Sequence, residues 1–142
     1  MKILFMCVAN SARSQLAEAI ARHLFAHKAE IQSAGSLPSK VNPHAVRVMD
    51  EMGIDLSAHH SKSIDKVPPD FLATLDYIIT LCSEEVCPIL LSQAKKLHWP
   101  MTDPAGKGDS EAEQLEHFRI AREELLKRLE AFGRETGLLD FW

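Results

Sequence analysis

The sequence predicts an α/β fold: a single three-layer domain over residues 1–142, in which a four-stranded parallel sheet is flanked by helices. Two observations carry this. Apolar strand-like runs alternate with amphipathic helical stretches along the chain, the pattern of a parallel, doubly wound sheet. The first run, residues 2–7, is also continuously apolar after its lysine instead of alternating with polar residues, as befits a strand buried on both faces. With 142 residues, 46% of them hydrophobic, the chain has enough apolar material for one core. No composition break, long linker, repeat or low-complexity tract marks a second domain.

The elements follow in order. Residues 14–27 have helical spacing, with Leu16, Ala17, Ile20 and Leu24 on one face. Glu30–Ser33 is a short strand closed by the turn-like Ala34-Gly35-Ser36. Asn42-Pro43 marks a helix start, asparagine capping and proline in the first turn. Ala45, Val48, Met49 and Met52 give this helix its apolar stripe, and Gly53 stops it. A short helix follows Pro68-Pro69 and carries Phe71, Leu72 and Leu75. Tyr77-Ile78-Ile79-Thr80-Leu81 is an uninterrupted β-branched strand, and Lys95–Trp99 a shorter one. A long amphipathic helix runs from about Asp109 to Arg134, with Leu115, Phe118, Ala121, Leu125, Leu129 and Phe132 at core spacing. Trp99 is expected to pack at a strand end, His59-His60 to lie in a polar loop, and the apolar tail 137–142 to dock on the domain or on a partner.

The formal net charge of −4 argues against general attraction to nucleic acid or anionic membrane. No apolar stretch is long enough to span a bilayer, and the N-terminal run turns polar at Asn10, unlike a secretion signal. Three cysteines are an odd count for a disulfide framework and point to reactive thiols in a reducing cytoplasm. The chain is expected to act there as a monomer.

In a parallel sheet, ligands gather off the carboxyl ends of the strands. Cys7 ends the first strand, Cys82 follows the third, and Asp103 comes just after the last. The segment Val8-Ala9-Asn10-Ser11-Ala12-Arg13-Ser14 joins strand to helix. Such a loop turns backbone N–H groups toward one point, and the helix N-terminus adds partial positive charge. A tetrahedral oxyanion fits there, with Arg13 gripping two of its oxygens in a fork. The same positive surroundings favour the thiolate of Cys7. Ser14 is placed to donate a hydrogen bond to it, and Asn10 to lock the loop. Cys82 and Cys87 bracket Ser83-Glu84-Glu85-Val86. Read from the residues alone, they are either a redox pair or two ordinary buried cysteines. A zinc site would need His98 to converge on them, and the spacing is not that of a structural zinc motif.

The run Cys7-x-x-Asn10-Ser11-x-Arg13-Ser14-Gln15 at the N-terminus resembles the low-molecular-weight protein tyrosine phosphatase superfamily, and within it the arsenate reductase branch. Ser33-Ala34-Gly35, Val41-Asn42-Pro43, Thr80-Leu81-Cys82, Cys87-Pro88 and Asp103-Pro104-Ala105-Gly106 continue the resemblance in the family's order. It implies the low-molecular-weight phosphatase-like fold, with Cys7, Cys82, Cys87, Arg13 and Asp103 as catalytic residues. Asp103 would supply the proton for the departing oxygen. Ala105-Gly106 stand where phosphatases of this family carry an aromatic residue bordering a phosphotyrosine pocket, which argues against an aryl phosphate substrate. The resemblance further implies that Cys7 attacks arsenate, that Cys82 and Cys87 then relay a disulfide, and that thioredoxin or a similar dithiol reduces it. No flavin, nicotinamide or metal is required. Two alternatives stand beside this reading: a phosphatase of the same superfamily, and a non-enzymatic oxyanion- or redox-sensing module.

Overall fold

Four strands, β1 (Lys2–Cys7), β2 (Glu30–Gly35), β3 (Tyr77–Thr80) and β4 (Lys95–His98), form one parallel sheet in the order β2-β1-β3-β4. The computed structural model describes residues 1–83 and 90–139. β1 is central because its side chains are apolar on both sides. Ile3 and Phe5 enter one core with Leu16, Ile20, Phe118 and Leu125, while Leu4 and Met6 enter another with Ala34, Val67, Phe71 and Ile78. Truncating Phe5 to alanine would cost about 3–5 kcal/mol.

The first core lies under α1 (Arg13–Phe25), α2 (Pro43–Asp50) and α4 (Glu111–Thr136); α3 (Pro69–Ala73) covers the other face through Phe71. The capping residues read from the sequence fix the starts of α2 and α4. Asn42 Oδ1 accepts from the His44 N–H at 2.8 Å, with Pro43 next in line where no N–H is needed. Ser110 Oγ accepts from the Glu113 N–H at 3.2 Å, so α4 starts at Glu111, two residues later than the sequence suggests. Gly137, with φ of +81°, ends it. β2 extends two residues past Ser33, because the parallel register continues to Cys7 opposite Gly35 and the Gly35 N–H finds the Lys62 carbonyl at 3.0 Å.

On the outer side of this layer, Glu51, just after α2, is clamped by α4. Arg119 Nη2 and Arg122 Nη1 each donate to its carboxylate at 2.7 Å. These two guanidiniums pull its pKa from 4.5 down to about 2. Trp99 packs against Phe132 and under the Arg128 guanidinium at the end of β4. Beyond α4, Leu138 is buried and the Leu139 N–H donates to the Gly133 carbonyl at 2.9 Å. Gly133 has no side chain because a Cβ there would meet Leu139 and Phe25 at 2.7 Å. The described part of the apolar tail therefore docks back on the domain. Among the described residues no helix is long and apolar enough to cross a membrane.

Candidate active site

The parallel register aligns the carboxyl ends of the strands, with Cys7 opposite Gly35, Met6 opposite Thr80, and Thr80 opposite His98. The chain leaving β1 then turns through residues 8–12 into α1. Every carbonyl of that turn is engaged on its outer side. Val8 O accepts from the Leu37 N–H at 2.9 Å, Ala9 O from Ser39 at 3.1 Å and Ser11 O from Asn42 at 3.0 Å. Asn10 O accepts from Gln15 Nε2 at 3.2 Å and from the Ser61 hydroxyl, and Ala12 O from the Leu16 N–H at 2.9 Å. A trans peptide places its N–H opposite its carbonyl. Pinning the carbonyls outward therefore turns the N–H groups of Ala9, Asn10, Ser11 and Ala12 inward, and these have no partner among the described residues. Ala12, at the cap position of α1, supplies no side-chain cap, so the helix start also faces the turn. The result is a cradle of donors shaped for an oxyanion.

Two residues hold this geometry. Gly35 lies against the turn so closely that a Cβ would sit 2.3 Å from Val8 O and 2.9 Å from Asn10 N. Asn10, at φ +49°, occupies the left-handed region that asparagine tolerates. Its Oδ1 accepts from the Lys62 N–H at 3.0 Å and from Gln15 Nε2 at 3.1 Å, which fixes which way the amide faces. Its Nδ2 donates to Ser14 Oγ at 2.7 Å and Ser33 Oγ at 2.9 Å. Ser14 Oγ lies 2.9 Å from Cys7 Sγ. Because that oxygen already accepts from Asn10, its own proton is free to point at the sulfur. The roles expected of Asn10 and Ser14 thus have matching geometry. Cys7 itself is a free thiol, 2% exposed.

Arg13 gathers the other strand ends. Its Nη1 donates to Met101 O at 3.1 Å and lies 3.4 Å from Leu81 O, while Nη2 is 3.8 Å from Asp103 Oδ2. The guanidinium is thereby held between the residue preceding Cys82 and the loop that carries Asp103. Asp103 is 48% exposed; its Oδ1 accepts from the Ala105 N–H at 3.0 Å, a turn that leaves Oδ2 toward Arg13. Cys82 is buried and disulfide-bonded. Cys87 lies outside the described residues.

Three residues of this frame were not singled out as site residues in the sequence: Gly35, Gln15 and Ser61. Ser33 links Asn10 to the buried carboxylate of Glu18, donating to Oε1 at 2.5 Å. Gln15 ties Asn10 to the 59–60 segment, donating to His60 O at 3.2 Å and facing His59 Nδ1 at 3.2 Å. Gly35 had a signal, since a glycine ending a strand marks close backbone approach. Ser61 had none.

Comparison with known proteins places this arrangement. Residues 2–136 match the family model for low molecular weight phosphotyrosine protein phosphatase. Arsenate reductase 1 of Staphylococcus epidermidis is 40% identical over 136 residues, spanning 94% of this chain and 96% of that protein. A solved structure described as an arsenate reductase in the phosphate binding state has a TM-score of 0.74 and 34% identity, covering 92% of this chain and 95% of that one. A thioredoxin-dependent arsenate reductase of Corynebacterium glutamicum has a TM-score of 0.62 and 30% identity, with 92% and 62% covered.

Proposed function

The chain belongs to the low molecular weight phosphotyrosine protein phosphatase family, and from that premise we propose that it reduces arsenate to arsenite with electrons drawn from its own thiols. The observation that carries the reading is the inward-turned cradle over Cys7, bracketed by Arg13 and Asp103 beside the end of β3. The arsenate reductase relatives, similar over nearly the whole chain, support arsenate as the anion it takes.

The steps follow from what each group is placed to do. The N–H groups of residues 9–12 and the Arg13 guanidinium hold the arsenate oxygens. The Cys7 thiolate, steadied by the Ser14 hydroxyl, attacks arsenic. Asp103 gives its proton to the departing oxygen, which leaves as water. Once its own disulfide has been reduced, Cys82 as thiolate then attacks Cys7 Sγ. The S–As bond breaks with its electron pair passing to arsenic, so As(V) becomes As(III), arsenite leaves, and a Cys7–Cys82 disulfide remains. Cys87 attacks Cys82 in turn and releases Cys7 as thiolate. The two electrons are returned by a dithiol such as thioredoxin, in line with the thioredoxin-dependent relative. The net exchange needs no flavin, nicotinamide or metal on this chain.

The test is arsenate-dependent NADPH consumption in the presence of thioredoxin and thioredoxin reductase. Wild type turns over continuously, while Cys82→Ser and Cys87→Ser lose sustained turnover. Absence of arsenate turnover by wild type with any thiol donor would sink the proposal. Normal turnover by Cys82→Ser would refute the relay while leaving arsenate as the substrate.

A further inference from the structure

Adjoining the Cys7 loop, and sharing Gln15 with it, is an open cavity of about 430 Å³ whose lining includes Arg22, His59, His60, Lys62 and Lys66. One carboxylate, Glu18, lies on the same lining, and it is already engaged. Its Oε2 accepts from Arg22 Nε at 2.9 Å, its Oε1 from the Ser33 hydroxyl, and His59 Nδ1 stands 3.7 Å away. Arg22 and Glu18 thus cancel as a pair. The ammonium groups of Lys62 and Lys66 make no hydrogen bond or ion pair with any described residue. Lys62 is half-buried, which raises the cost of leaving its charge unpaired. Burial holds Lys62 below its ordinary pKa, Glu18 opposing and Arg22 adding to the effect. Burial likewise lowers His59, with Arg22, Lys62 and His60 adding to it against Glu18.

Lys62 and Lys66 border one concavity without a hydrogen bond or ion pair, opposed only at longer range by Glu18 and Asp65, and a small dianion between them would neutralise both. We propose that this cavity is a second oxyanion site, binding inorganic phosphate or a like tetrahedral dianion on Lys62 and Lys66. The site is separate from the Cys7 cradle and does not depend on which reaction Cys7 performs. It is nevertheless wired to that cradle, since the Lys62 N–H and Gln15 Nε2 both donate to Asn10 Oδ1. An anion drawing on Lys62 therefore acts on a residue that directly restrains the loop.

The experiment is equilibrium dialysis with radiolabelled inorganic phosphate at saturation. It compares wild type, Arg13→Ala, Lys62→Met/Lys66→Met, the triple variant, and Lys127→Met on α4 as a control for the loss of one positive charge elsewhere. Wild type and the control are expected to hold two phosphates per chain, Arg13→Ala and the double lysine variant one each, and the triple variant none. One phosphate per wild-type chain, two on the double lysine variant, or one on the control each overturns the proposal. Lys66 is exposed, so the single Lys66→Met protein guards against misfolding of the double variant. Its second site is expected to weaken at least tenfold, and an unchanged affinity there also overturns the proposal.

Discussion

The loop after β1 carries its groups in a frame fixed at every peptide, whereas the loop after β4 holds Asp103 by one turn hydrogen bond and one long ion pair. In the first, all five carbonyls from Val8 to Ala12 are taken, Asn10 is bonded on both sides of its amide, and Cys7 is buried. In the second, a half-exposed carboxylate has, among the described residues, the Ala105 N–H and Arg13 at 3.8 Å. The contrast matches the two tasks proposed for these loops. Oxyanion stabilisation depends on donors that need no reorganisation at the moment of reaction. A proton donor must exchange its proton with solvent between turnovers, and exposure serves that. It follows that damage to the first loop should cost stability and activity together, and damage to the second should cost activity alone.

The largest expected effect comes from Gly35→Ala. A methyl group 2.3 Å from Val8 O forces either β2 or the loop to move. The expected loss is about 2–4 kcal/mol of stability, read from the urea midpoint. A displacement of the cradle by even about 1 Å brings at least about 10²-fold lower turnover and slower alkylation of Cys7 by iodoacetamide. A stable Gly35→Ala protein with wild-type alkylation would show that the close approach does not shape the loop.

Asp103→Asn should separate the two properties. Asparagine can still accept from the Ala105 N–H, so the turn survives, but it has no proton to give. Turnover is expected to fall about 10²-fold or more, while the urea midpoint stays within about 0.5 kcal/mol of wild type because the Arg13 ion pair is long and half-exposed. Alkylation of Cys7 should remain at the wild-type rate. A large loss of stability would mean that the second loop is part of the frame after all.

The same contrast explains what could be read from the sequence. Cys7, Arg13 and Ser14 were legible because a strand, a small-residue loop and a helix stand in immediate succession, and local order fixes where their side chains go. The helix starts at Asn42 and Ser110 were legible through capping chemistry alone. The acid role proposed for Asp103 came only through the resemblance, because Asp-Pro by itself marks any turn. The partners of the loop carbonyls were not legible at all. Leu37, Ser39, Asn42 and Ser61 serve it through backbone atoms or a single hydroxyl, which leave no residue-type signature, and they reach it by tertiary packing from 29 to 51 positions away. His59 read as part of a polar loop, yet its ring faces Gln15 and Glu18. Cys82 was placed at a strand end and is found just past β3, where Leu81 O meets Arg13.

The smallest effect tests whether the frame is confined to the sheet's carboxyl end. Glu51 sits on the α2–α4 side, clamped by Arg119 and Arg122, with its pKa lowered from 4.5 to about 2. A carboxylate whose folded pKa is depressed stabilises the fold fully above its unfolded value and ceases to do so as pH falls through its folded value. The wild-type urea midpoint should therefore decline between pH 4.5 and about 2 partly through Glu51, and Glu51→Gln should flatten that part of the curve. Because the group is exposed, the difference should shrink in high salt. Cys7 alkylation should be unaffected at neutral pH, since no hydrogen bond of the clamp reaches the residues that hold the loop. A Glu51→Gln protein that kept the wild-type acid slope would place the acid sensitivity elsewhere. One that also altered Cys7 reactivity would mean that the rigidity of the loop is borrowed from the helical layer beneath it rather than built by its own carbonyl contacts.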